Sequence, residues 1–207
     1  GSAIVSPVDD VASLSKGMAG TMVAELASEG KLSLADPVSR WAPSLKLPGG
    51  GENIVTVGQL LGHRTGIVHN AYDDKLEEGQ EPHAIRTMLG RLDAYCKPGT
   101  CHTYQNVAYD AASEIVANVT KRPYIEMVAR RILVPLGMTS ASLTRAGLEA
   151  SPSWARPHVG HRTLKVADAY YTVPAAGGMN SSIFDLGLWL RAQMGQDPRV
   201  VPQAVLD

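Results

Sequence analysis

The apolar positions of this chain fall mainly at helical spacing. Met18, Met22, Val23 and Leu26 build one face of a helix that stops at Glu29-Gly30, where glycine suits a left-handed cap. Leu32, Leu34 and Val38 surround Asp36-Pro37, a cap and first-turn proline for a short second helix. Val57, Leu60 and Leu61 predict a short helix over 56–62, ended by Gly62, and Pro82 opens another over 82–89. From Asn106 onward, Ala108, Ala111, Ala112, Ile115 and Val119 form an amphipathic stripe. Pro123 opens a helix running through Met127 and Ile132 to Pro135, and Ile183, Leu186, Leu190 and Met194 mark one over 182–194. Residues 1–12 read as irregular or extended and 48–51 as a loop. Residues 139–178 read as turns with one candidate extended stretch at 170–173.

The expected fold class is therefore mostly α, without the strands needed for a five-stranded sheet. No internal repeat or low-complexity segment interrupts it. The 207 residues suffice for one large domain or two small ones. With 44% hydrophobic and 19% charged residues the composition is globular, and 20 glycines and 13 prolines imply many turns. A net charge of −1 makes no electrostatic case for nucleic acid or an anionic membrane. No apolar run approaches the ~20 residues of a membrane span. No basic segment followed by an apolar core marks a signal peptide. Gly1-Ser2 reads as a cloning remnant, which leaves room for an upstream segment.

Cys96 and Cys101 flank Lys97-Pro98-Gly99-Thr100. They are either reduced thiols in a turn or a short disulfide pinning the Pro-Gly turn. With no other cysteine to compete, the disulfide is preferred, and it implies a periplasmic or secreted protein. A zinc site would need further ligands, and His69, His83 and His102 have no partners at ligand spacing, so neither metal nor cofactor is expected.

The candidate chemistry starts with Ser13 and Lys16, three residues apart and so on one helical face. At a helix start, backbone N–H groups suit developing negative charge, and a partly desolvated lysine has its pKa lowered toward use as a base. Tyr104, if ionised beside a lysine, could take the serine proton, and the Asn106 amide could hold Lys16 and a substrate carbonyl. The plain alternative makes Ser13 an N-cap, Lys16 a solvated charge and Tyr104-Gln105-Asn106 a turn.

The order of motifs decides between these. Val11-Ala12-Ser13-Leu14-Ser15-Lys16 resembles the A-S-x-S-K helix start of the serine β-lactamase, penicillin-binding protein and type VIII esterase superfamily. The stretch from Glu29-Gly30-Lys31 to Asp36-Pro37-Val38 is similar to that superfamily's eGkLsLdDpV segment, and Leu60-Leu61-Gly62-His63-Arg64-Thr65-Gly66-Ile67 to its LLsHtSGl. Pro98-Gly99-Thr100 with Tyr104-Gln105-Asn106 resembles PGt…Y-x-N. Val134-Pro135-Leu136-Gly137-Met138 resembles PLGM, and Ala176-Gly177-Gly178-Met179 resembles aGGl. Six collinear blocks span roughly residues 11–194.

The resemblance implies that Ser13 forms an acyl-enzyme with Lys16 as its proton-transfer partner. It implies that Tyr104 is general base and later activates the deacylating water, and that Asn106 positions substrate and Lys16. His63 falls in a loop that is structural in the family. The family's third box, K-T-G or H-x-G, normally follows the aGGl segment. His158-Val159-Gly160 has that form but precedes it, and is set aside as a coincidence. The expected architecture is thus the helical lobe and nucleophile helix of the β-lactamase-like α+β fold, in one domain over 1–207 that is incomplete at both ends. The expected function is a serine hydrolase acting on a β-lactam, a D-Ala-D-Ala-like peptide or an ester. The alternative is a non-catalytic fragment or binding module that self-associates or pairs with the missing segment, because surface meant for the sheet would be exposed.

Overall fold

The computed structural model describes residues 6–206, so of the stretch 1–12 only its second half can be compared. Helix α1 (Ser15–Ser28) forms the centre. Met18, Ala19, Met22, Val23 and Leu26 are fully buried in one core cluster, and α1 packs on α5 (Ala111–Thr120) through Ala111, Ala112, Ile115 and Val116. The end of α1 is closed by a paired cap: Gly30 turns at φ 71° while the Lys31 N–H reaches the Leu26 carbonyl at 3.0 Å.

Around this axis the remaining helices are short. In chain order they are α2 (Val57–Leu61), α3 (Asp73–Glu77), α4 (Pro82–Met88), α5, and α6 (Tyr124–Val128). A π turn (Ala129–Leu133) leads α6 into α7 (Val134–Leu136), then come α8 (Arg145–Glu149), α9 (Ile183–Gln193) and α10 (Gln203–Leu206). Thr56 and Gln59 form a reciprocal capping box at the start of α2, and Ser182 caps α9. Among the described residues there are two two-stranded sheets. β1 (Asp9–Asp10) pairs antiparallel with β4 (Asn180–Ser181), and β2 (His158–Val159) with β3 (Arg162–Thr163).

Four expectations shift. The stretch 170–173 is not extended: Ala169–Thr172 is a 3-10 helix, because the Tyr171 N–H returns to the Asp168 carbonyl at 2.9 Å. The helix expected from Asn106 starts only at Ala111, since turns over 107–110 keep Asn106 at the site. The helix around Asp36-Pro37 is a 3-10 turn (Val38–Arg40) with Pro37 extended before it. The loop at 48–51 belongs to 3-10 turns over Pro48–Asn53, kinked where Gly49 and Gly50 are left-handed. Helix α9 also turns the stripe Ile183, Leu190 and Met194 outward, each more than half exposed, while Asp185 and Ala192 face inward.

One charged cluster lies inside. Arg86 on α4 meets the Asp110 carboxylate at 2.9 Å, lies 3.8 Å from Glu114, and donates to Ser44 Oγ at 2.7 Å. The other Asp110 oxygen accepts the Ala175 N–H at 3.0 Å, tying the segment after the 3-10 helix to the core.

Candidate active site

Ser13 lies in a 3-10 turn (Ala12–Leu14) that runs directly into the start of α1. The turn is strained: Ala12 has φ 45°, rare for a residue with a Cβ, and the Asp10 carboxylate accepts its N–H at 2.8 Å. The result leaves the Ser13 side chain exposed at the cleft while Ser15, two residues on, is buried. Ser15 Oγ donates to the Ala12 carbonyl at 2.6 Å and accepts the Met179 N–H at 3.0 Å, so it fixes the turn.

Lys16 is buried, and its amine has three neighbours. Nζ lies 2.8 Å from Asn106 Oδ1, 2.8 Å from the Ala176 carbonyl and 3.2 Å from Ser13 Oγ. A neutral amine has two N–H groups and one lone pair. As an ammonium, Lys16 donates to all three oxygens; as a neutral amine, giving its two N–H groups to the fixed carbonyl oxygens would leave the lone pair facing Ser13. Burial lowers the Lys16 pKa, opposed by Tyr104, Asp73 and Asp110. The Tyr104 hydroxyl shares a short hydrogen bond with Ser13 Oγ, and its ring lies 4.7 Å from Lys16 Nζ. Ser13, Lys16, Tyr104 and Asn106, named from the sequence, thus converge on one point from the two ends of a 93-residue separation.

Two supports were not visible in the sequence. The Tyr109 hydroxyl donates to the Lys16 carbonyl at 2.9 Å, and burial holds its phenol far above the usual range. Asp73, the first residue of α3, accepts from Asn106 Nδ2 at 2.7 Å. Tyr109 lies in the turns that follow Asn106, and no periodicity of the sequence singles it out. No pattern in the chain marks the second. A cleft of about 680 Å³ opens over Ser13, walled by His69, Asp73, Glu77, Tyr104, Tyr170 and Gly177. Tyr170 donates to Glu77 at 2.9 Å across this wall.

His63 does not line the Ser13 cleft and packs behind Tyr104. Its Nδ1 accepts the Gln105 N–H at 3.1 Å, its carbonyl accepts the Thr103 N–H at 2.8 Å, and its ring stacks on Tyr104 at 4.7 Å. Burial and the nearby Lys16 charge lower its pKa to about 4, so it is neutral at pH 7. Cys96 and Cys101 are joined in a disulfide outside the cleft, with Cα atoms 6.4 Å apart. His158 sits in the β2–β3 hairpin, bonded to the Arg156 carbonyl and Thr163, and is not part of the wall of the Ser13 cleft.

The Ser13 hydroxyl thus lies between a buried lysine and a phenol, just ahead of the central helix of a largely helical lobe. The chain belongs to the Beta-lactamase family, whose profile matches residues 9–206. It is 28% identical over 191 residues to Protein flp of Staphylococcus aureus (strain COL), covering 89% of this chain and 38% of that protein. It is 24% identical over 193 residues to the D-alanyl-D-alanine-carboxypeptidase/endopeptidase AmpH of Escherichia coli (strain K12), covering 90% of this chain and 49% of that protein. Among solved structures, the octameric penicillin-binding protein homologue from Pyrococcus abyssi superposes with a TM-score of 0.83 at 27% identity, over 97% of this chain and 48% of that one. The chain therefore spans half or less of the length of these three proteins.

Proposed function

We propose that residues 9–206 form one serine hydrolase domain that works through an acyl-enzyme on Ser13. The observation that carries this reading is the placement of Ser13 Oγ against both Lys16 Nζ and the Tyr104 hydroxyl. The competent form lacks one of the two protons that Lys16 and Tyr104 can hold between them. As Ser13 Oγ bonds to the substrate carbonyl carbon, its proton passes to Tyr104 or, along the same contacts, to Lys16. The pair then returns that proton to the departing nitrogen or oxygen as the carbonyl–leaving-group bond breaks. In the second half, water attacks the Ser13 ester, its proton goes to the same pair, and Ser13 recovers a proton as the ester bond breaks. Asn106 keeps Lys16 in place and has a second amide N–H for the substrate.

The substrate class is a β-lactam, a D-amino-acid peptide or an ester, in keeping with the peptidase named among the relatives. The disulfide supports a periplasmic or secreted setting. A second reading, a binding module that needs a complementary segment or a second copy, is favoured by the outward apolar stripe of α9. The test is incubation with a fluorescent penicillin and with p-nitrophenyl acetate, read by intact mass against Ser13→Ala. A Ser13-dependent adduct is the expected result, and turnover of one reagent assigns the class. Equal labelling of Ser13→Ala, or no adduct with either reagent, sinks the hydrolase reading for this chain.

A further inference from the structure

We propose that Asp73 is a positioning residue that fixes the Asn106 amide and, through it, the Lys16 amine. The proposal rests on the reading of Ser13 and Lys16 given above. The contacts form a chain: Asp73 Oδ2 accepts from Asn106 Nδ2 at 2.7 Å, Asn106 Oδ1 accepts from Lys16 Nζ at 2.8 Å, and Nζ reaches Ser13 Oγ at 3.2 Å. A carboxamide is nearly symmetric in shape, and its two ends differ only in what they bond. With a carboxylate on one side and an amine on the other, a single orientation satisfies both. The flipped amide would set oxygen against oxygen and nitrogen against nitrogen.

The backbone that carries Asp73 is built for this contact. Asn70 and Tyr72 both have positive φ, 53° and 61°, a conformation that asparagine tolerates and that is costly for tyrosine. The strain is held by bonds to the Tyr104-Gln105-Asn106 segment. The Asn70 N–H reaches the Tyr104 carbonyl at 2.9 Å, the Ala71 N–H reaches Gln105 Oε1 at 3.3 Å, and Gln105 Nε2 reaches the Val68 carbonyl at 2.6 Å. A helix-opening aspartate would ordinarily aim an oxygen at the first N–H groups of its own helix. Here Oδ2 goes to Asn106, and Oδ1 is buried with no protein partner.

Asp73 also sets a charge beside Lys16. The groups facing Lys16 are Tyr104, Tyr109, Asp73, Asp110 and His63, and those facing Asp73 are Lys16, Glu77, His69 and Tyr170. An anion at Asp73 favours the ammonium form of Lys16, so removing the charge makes the first proton of the Lys16/Tyr104 pair leave at lower pH.

Two variants separate geometry from charge. Asp73→Asn keeps an acceptor for Asn106 and loses the charge, whereas Asp73→Ala loses both. The proton affinity of Lys16 is read by trace acetylation with acetic anhydride across pH, followed by peptide mass spectrometry. Ser13 acylation by p-nitrophenyl acetate is followed over the same range, with thermal melts confirming folding. Both variants are expected to lower the Lys16 midpoint by about one pH unit. Asp73→Asn keeps its acylation plateau with the acid limb moved down by that amount, while Asp73→Ala loses about 10- to 100-fold in plateau rate. An unmoved Lys16 midpoint in both variants, or a full plateau in Asp73→Ala, overturns the proposal. Equal acylation of Ser13→Ala would instead defeat the nucleophile reading, and the Lys16 titration would still decide whether Asp73 acts on Lys16.

Discussion

His63 supports the candidate site from behind, through its bond to the Gln105 N–H and its stack on Tyr104. Its neutral ring has to accept a backbone N–H through Nδ1, so adding a proton there breaks that bond and sets a cation near Lys16. The folded pKa of about 4 lies below the unfolded value near 6.5. The unfolded chain therefore binds more protons between those values, and the stability His63 supplies is full above about pH 6.5 and is lost as pH falls toward 4. Buried Glu25, raised to about 7 by burial, has the opposite sign and loses stability as pH rises through that range. The difference between the wild type and His63→Gln cancels Glu25 and isolates the imidazole. Melting temperatures of the two proteins should converge as pH drops from 6.5 to 4, because only the wild type carries the loss. Parallel curves would show that His63 does not titrate in this range.

At the level of elements, the site depends on how the 95–105 loop lies against the 63–66 turn. Gly66 has φ 85°, and a Cβ there would stand 2.7 Å from the Cys96 carbonyl oxygen, a backbone atom that cannot swing away. Gly66→Ala should cost about 2–3 kcal/mol in urea unfolding, and it should slow acylation by shifting the loop that leads to Tyr104. Gly17, in the first turn of α1 with nothing within 4 Å of its would-be Cβ, is the control. Gly17→Ala should stabilise by about 0.5–1 kcal/mol. A neutral Gly66→Ala would mean that the loop moves freely. The contrast also shows what was legible in the chain. Helices with a full apolar face, α1 and α5, follow from their periodicity, because core burial enforces the 3.6-residue repeat. The 3-10 turns at Ser13, Val38–Arg40 and Ala169–Thr172 do not, because a three- or four-residue turn is fixed by a single returning N–H. Ser13, Lys16, Tyr104 and Asn106 could be named because they recur as a pattern. Asp73 and the Ala176 carbonyl could not: one is an acid that opens a short helix after a strained turn, and a main-chain oxygen has no residue signature.

Across the whole molecule, Lys16 is coupled to a charge pair in the core. Arg86 neutralises Asp110, Asp110 holds the Ala175 N–H, and the next residue's carbonyl grips Lys16 Nζ. Burial pushes the Asp110 carboxyl up while Arg86 pulls it down, so the ionised form depends on its partner. Arg86→Met would keep the volume and remove the charge, leaving a buried carboxylate with the Ala175 N–H and Ser113 as its remaining donors. The expected loss is about 3–5 kcal/mol at pH 8. The sign with pH follows from Asp110, whose folded pKa would rise further above its unfolded value. The variant should be closest to wild type at low pH, where folded Asp110 is protonated in both proteins, and should weaken relative to it as pH rises through the raised pKa. Urea unfolding of both proteins at pH 5 and pH 8 measures this, and an equal loss at the two values would mean that Asp110 finds another partner. The same variant should slow Ser13 acylation even at temperatures where it stays folded, because the Ala176 carbonyl loses its anchor and the Lys16 lone pair its direction.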